Sequence, residues 1–139
     1  MSPDQSRSLI HDYPDYEVVL EAHPDVARAS LEGAVIAESE HSVLLRETRH
    51  AAVLYFPRED VRWDRLEATD HTSFCPFKGH ASYWTVRIPG RVEENAVWGY
   101  AKPFPEVADL ANYVAFYADR IHVEANVSPS KDAACPDKP

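Results

Sequence analysis

The sequence predicts a mainly β protein: a single compact domain of two antiparallel sheets with at most short helical turns. Two observations carry that reading. Short runs rich in Val, Leu, Ile and aromatic residues recur through the middle of the chain, at residues 16–20, 50–56 and 83–88, the composition of half-buried pleated strands. Clusters of Pro, Gly, Asp and Ser punctuate them at spacings too short for long helices. The length of 139 residues, 45% of them hydrophobic, suits one core and not two.

The elements follow in order. Residues 16–20 and 26–29 are β-type runs separated by His23-Pro24-Asp25. Leu31-Glu32-Gly33-Ala34 holds a glycine turn before a strand at 35–37, and Ser39-Glu40-His41-Ser42 a second turn before 43–45. The strand at 50–56 stops at Pro57, which has no N–H to give a ladder. The strand at 83–88 closes at Pro89-Gly90, and residues 92–100 make its hairpin partner. Alternation puts Asn95, Val97 and Gly99 on one face, with Ala96, Trp98 and Tyr100 on the other. Residues 105–120 read either as helix, through Val107, Leu110, Val114 and Tyr117, or as strand, through Tyr113 to Tyr117. Residues 121–124 finish the sheet. The ends, 1–13 and 128–139, are short of large apolar side chains and are expected to be flexible, leaving 14–127 as the β domain.

Composition narrows the partners. With 23 acids against 14 bases, the net charge is −9, which repels phosphate backbones and anionic membranes, so neither nucleic acid nor a membrane is an expected partner. The arginines at 58, 62 and 65 are interrupted by Glu59, Asp60 and Asp64, the pattern of a solvated face. The first residues hold no hydrophobic signal core, and a cytoplasmic location is the expectation. Of the two cysteines, Cys135 lies in a polar, proline-bearing tail, so a disulfide to Cys75 is not expected.

Chemistry concentrates in Asp70-His71-Thr72-Ser73-Phe74-Cys75-Pro76-Phe77-Lys78-Gly79-His80-Ala81-Ser82-Tyr83-Trp84. An acid, two imidazoles, a thiol, an ammonium and several rings so close together suit a small-molecule pocket. Cys75 with His71 offers a thiolate nucleophile if the imidazole reaches sulfur, with Asp70 orienting the histidine. The plainer reading of Cys75 is a small buried hydrophobe. Lys78 offers an anchor for an anionic group, or is a surface lysine beside an acid. Thr72 and Ser73 lack a nucleophile elbow and read as loop braces. Without any CxxC pair no metal is expected, and nothing indicates a cofactor. Tyr83, Trp84, Trp98 and Tyr100 are candidate walls, although most of the aromatic residues must fill core. Asn95 and Arg120 are further candidates for ligand contact, Arg120 having the alternative of a structural pair with Asp119.

The same stretch carries a resemblance. Tyr55-Phe56-Pro57-Arg58-Glu59-Asp60-Val61, the 70–84 motif, Glu94-Asn95-Ala96 with Trp98 and Tyr100, and Tyr113-Val114-Ala115-Phe116-Tyr117 follow one another as in the domain of unknown function 427 family, from about residue 18 to 124. The resemblance implies a tent of two inclined β sheets, a fold shared with methionine sulfoxide reductase B and the ligand-binding domain of cereblon. It also tips residues 105–120 toward a helical turn at about 106–110 followed by a strand. It attaches no activity, and fold kinship alone does not supply one. A nucleotidyltransferase label carried by some members finds no paired metal-binding carboxylates here.

Three functions remain open. The first is a cytosolic pocket for a small polar or aromatic metabolite, with acid–base or thiol chemistry at His71 and Cys75. The second is a non-catalytic recognition module whose aromatic cage holds a peptide or modified side chain. The third is a methionine-sulfoxide-type reductase, weakened because the second cysteine lies sixty residues away.

Overall fold

A computed structural model describes residues 8–127. The chain folds into ten strands: β1 (Val18–Ala22), β2 (Ala27–Leu31), β3 (Ala34–Ser39), β4 (Val43–Glu47), β5 (Val53–Pro57), β6 (Leu66–Cys75), β7 (Gly79–Ile88), β8 (Arg91–Gly99), β9 (Tyr113–Phe116) and β10 (His122–Glu124). Seven form an antiparallel sheet in the order β1-β4-β5-β9-β8-β7-β6, and three a second sheet, β10-β2-β3. The helical content is short 3-10 turns, the longest at Pro105–Asn112 and leading directly into β9. The expected two-sheet fold is therefore observed. The last strand, β10, joins the smaller sheet. Residues 1–7 and 128–139, with Cys135, lie outside the described residues, and a 3-10 turn at Leu9–Asp12 falls within the segment expected to be flexible.

The β2–β3 turn is the predicted one. Glu32 and Gly33 both have positive φ, at 50° and 83°, the mirror-image hairpin turn that glycine favours.

Two apolar clusters hold the fold. The first fills the space between the sheets, with Ala27, Ala29, Ile36 and Ala37 of the small sheet against Phe56, Val86, Val97, Val114 and Phe116 of the large one. The second covers the other face of the large sheet, where Leu45, Tyr55, Ala81, Tyr83, Tyr100 and Ala115 meet Val107 and Leu110 of the long 3-10 segment. Residues 54–57 and 114–116 are thus buried continuously, because both faces of β5 and β9 are covered.

The large sheet curls. Lys78, in the turn between β6 and β7, forms an ion pair with Glu47 at the end of β4, and those strands lie far apart in the strand order. Only a strongly twisted sheet brings them together, with the second cluster on its concave side.

Candidate functional site

The 70–84 motif is the β6–β7 hairpin. Pro76, Phe77 and Lys78 make its turn, and Gly79 continues at φ 120° where a Cβ would stand 3.4 Å from the Lys102 carbonyl oxygen. β6 is an edge strand, and its pairing skips from Ala68 opposite Trp84 to Thr72 opposite Ser82, which leaves Thr69, Asp70 and His71 in a bulge. β8 bulges as well, around Asn95 at φ 53°. The two irregularities brace each other. The Thr69 hydroxyl donates to Asn95 Oδ1 at 2.7 Å, and the Asn95 N–H donates to the Thr85 hydroxyl at 3.2 Å.

Strand alternation then sorts the nominated residues. His71, Ser73, Cys75, Tyr83, Trp98 and Tyr100 gather on the concave face. Trp84 goes to the opposite face, packing against the core between the sheets. Trp84 and Trp98 are therefore not two walls of one pocket, since neighbours Tyr83 and Trp84 must point to opposite sides of a pleated strand. Trp98 and Tyr100 do share a face as expected. Ala96 leaves them for the inter-sheet core, because the bulge at Asn95 breaks the alternation.

His71 and Cys75 lie four residues apart on an extended strand, about 13 Å between Cα atoms. That separation exceeds hydrogen-bond reach, so the geometry supplies no Cys–His dyad. The exposed His71 ring instead meets Tyr83 edge-on at 4.5 Å, while the His71 backbone N–H donates to the Thr69 hydroxyl at 3.3 Å. Asp70 is exposed, and no hydrogen bond joins it to His71 among the described residues. Ser73 and Tyr83 share a hydroxyl hydrogen bond of 2.8 Å.

Lys78 is buried rather than held out as an anchor. Its ammonium donates to Glu47 Oε1 at 2.5 Å, with both side chains about a tenth exposed. The Tyr16 hydroxyl donates to the other carboxylate oxygen, and the Tyr16 ring stacks on Phe77 at 3.9 Å. Burial opposes the Glu47 charge, yet the hydrogen bonds from Lys78 and Tyr16 hold its carboxyl below the usual range. Burial pushes the Tyr55 and Tyr100 hydroxyls well above theirs, and Glu47 adds to both.

At the other end of the concave face lie two partly buried rings. Trp98 and Tyr117 are 4.5 Å apart at a tilt of 41°, and Trp98 Nε1 donates to the Tyr55 hydroxyl at 3.2 Å. Burial and the neighbouring Tyr83 hydroxyl push Tyr117 up to about 12. Arg120 lies over the Tyr117 ring at 5.1 Å, while its guanidinium donates to the Glu94 and Asn95 carbonyls at 2.5 and 3.1 Å. Asn95 and Arg120 thus fasten the β8 bulge, and the donors of Arg120 go to carbonyls rather than to Asp119. Tyr117 was the ring missed in the sequence. Its position directly after β9, two residues beyond Ala115, was the available signal.

A separate cavity of about 240 Å³ opens beside Ile10, Tyr16, Val18, Phe77 and Val107, with Glu17 and Glu106 on its lining. None of the nominated residues lines it. Among the described residues, no three His, Cys, Asp or Glu side chains converge as metal ligands would, and no helix is long and apolar enough to cross a membrane.

The order of motifs and the fold agree with one family. Residues 19–127 match the model described as domain of unknown function (DUF427), most of the chain, and the protein belongs to that family. No curated protein matches the sequence.

Proposed function

We propose that this protein is a small-molecule-binding domain whose ligand, a small polar or aromatic metabolite, rests on Trp98 and Tyr117. The observation that supports this reading is the pair of partly buried rings on one face of a curled sheet, on the same face as the Ser73–Tyr83 hydroxyl pair and the exposed His71 imidazole. Stacking surface and a few convergent polar groups are what such a site requires. In this reading His71 and Ser73 give hydrogen bonds, Tyr83 positions both, and Lys78 is structural. No covalent step is assigned to Cys75, because His71 lies about 13 Å away along an extended strand, beyond reach of its sulfur.

The test is native mass spectrometry after incubation with cell extract, beside a denatured control. A reproducible non-covalent adduct in the wild type, lost in Trp98→Ala and weakened in His71→Ala, is the expected result. A bare protein mass that gives way only to captured peptides would replace the metabolite pocket by the recognition module.

A further inference from the structure

The opposite face of the large sheet carries a second cluster. Arg58, just after β5, donates from Nε to the Ala111 carbonyl at 2.9 Å, while its Nη2 is buried with no hydrogen-bond partner. Its guanidinium lies over the Trp63 and Trp84 rings, 5.9 and 5.4 Å from their centroids. Those indoles meet edge-to-face at 5.3 Å, and Trp63 Nε1 donates to the Arg58 carbonyl at 2.7 Å. Beneath the guanidinium is Gly99. A Cβ there would stand 3.0 Å from Nη2 and 2.9 Å from Val114 Cγ1, so only glycine lets the group lie this close to the sheet.

What sets Arg58 apart among the described arginines is a buried guanidinium nitrogen left without a partner. Five other arginines, at 28, 46, 62, 87 and 91, form ion pairs with carboxylates. Arg58 forms none among the described residues; neither do Arg65 and Arg120, but their guanidinium groups donate to backbone carbonyls and leave no buried nitrogen unpartnered. Burial pulls the Arg58 value below the ordinary one with no acid opposing the shift. A buried guanidinium nitrogen without a partner is costly, and an oxyanion that reached it would relieve that cost.

We propose that Arg58, Trp63, Trp84 and Gly99 form a binding site for a small carboxylate carried on a flat aromatic body. A single planar fork matches one carboxylate. A phosphate dianion would call for more bases, but the neighbouring Arg62 is paired with Asp64 and Arg65 donates to the Val35 carbonyl. The indoles supply the surface for a flat body, and Trp63, 36% exposed on a three-residue turn, sets the mouth at the surface.

The experiment is titration of the full chain with benzoate and with indole-3-acetate, followed by NMR shifts of the Trp63 and Trp84 indole N–H groups. Saturable shifts at those two indoles are expected with the carboxylates and not with benzamide. Arg58→Met should abolish them, and Arg58→Lys should weaken binding roughly tenfold. Arg46→Met, which removes the same charge from another surface, should bind as wild type. Should Arg58→Met fail to fold, Trp63→Ala tests the same site from its exposed wall and should lose the shift at Trp84. Absence of saturable shifts with both carboxylates, equal binding of benzamide, or unchanged binding in both variants would overturn the site. Tighter binding of inorganic phosphate than of benzoate would overturn its assignment to carboxylates.

Discussion

A lysine ammonium about a tenth exposed needs a countercharge, and for Lys78 that is Glu47, thirty-one positions away in the chain. Removing one member leaves the other buried and unpaired. Glu47→Gln or Lys78→Met should therefore lower unfolding free energy by about 3–5 kcal/mol, measured by urea denaturation. The double variant Glu47→Leu/Lys78→Met should recover much of that loss, because two apolar groups of similar volume incur no desolvation cost. If the double variant were as unstable as the worse single one, packing rather than charge would explain the pair. The sequence pointed to Lys78 but not to its role. An acid in β4 becomes its neighbour only once the sheet curls.

Within elements, the bulges decide what faces what. A residue added to one strand of a ladder flips the side chains beyond it. The Asn95 bulge therefore sends Ala96 to the inter-sheet core and leaves Trp98 and Tyr100 on the concave face. Arg120 secures that bulge by donating to two of its carbonyls. Arg120→Met should cost about 2 kcal/mol on the scale of hydrogen bonds to charged groups and should show faster amide exchange in residues 93–96. At φ 53°, a β-branched residue is strained. Asn95→Val should thus be destabilising by about 1–2 kcal/mol from the left-handed conformation, whereas Asn95→Gly should lose only the Thr69 hydrogen bond. Thermal melts of the two variants side by side check the difference. Strand existence and the turns at Gly33 and Pro57 could be read from local chemistry. Register could not, since it depends on pairing with strands distant in sequence.

For the whole molecule, stability is bounded on both sides of neutrality. The Glu47 carboxyl is held below its usual value in the folded state, so its contribution is full above the unfolded pKa near ~4.3 and is lost as pH falls through the folded one. The Tyr55 and Tyr100 hydroxyls are raised by burial, so the unfolded chain loses their protons first. Their contribution is full below about pH 10 and declines as pH rises toward the folded values, by roughly 1.4 kcal/mol per pH unit for each tyrosine. Chemical denaturation across pH should give a plateau with an acid shoulder absent in Glu47→Gln. On the alkaline side, the decline should be shallower in Tyr100→Phe. An alkaline slope unchanged in Tyr100→Phe would remove that tyrosine from the account.

What the sequence by itself determined is what local chemistry controls. β-branched and aromatic runs cut by Pro and Gly set most of the strands, the order of motifs set the family, and the concentration of polar groups at 70–84 picked out the hairpin. The tertiary structure alone decided which of those groups meet. It put Trp84 and Trp98 on opposite faces, held His71 apart from Cys75, satisfied Lys78 with Glu47, and brought Arg58 onto Gly99 between two indoles. The physical reason is that a pleated strand fixes only the alternation of its own side chains. Which face is covered, where a bulge resets the alternation, and which distant charge arrives opposite are set by sheet twist and long-range pairing.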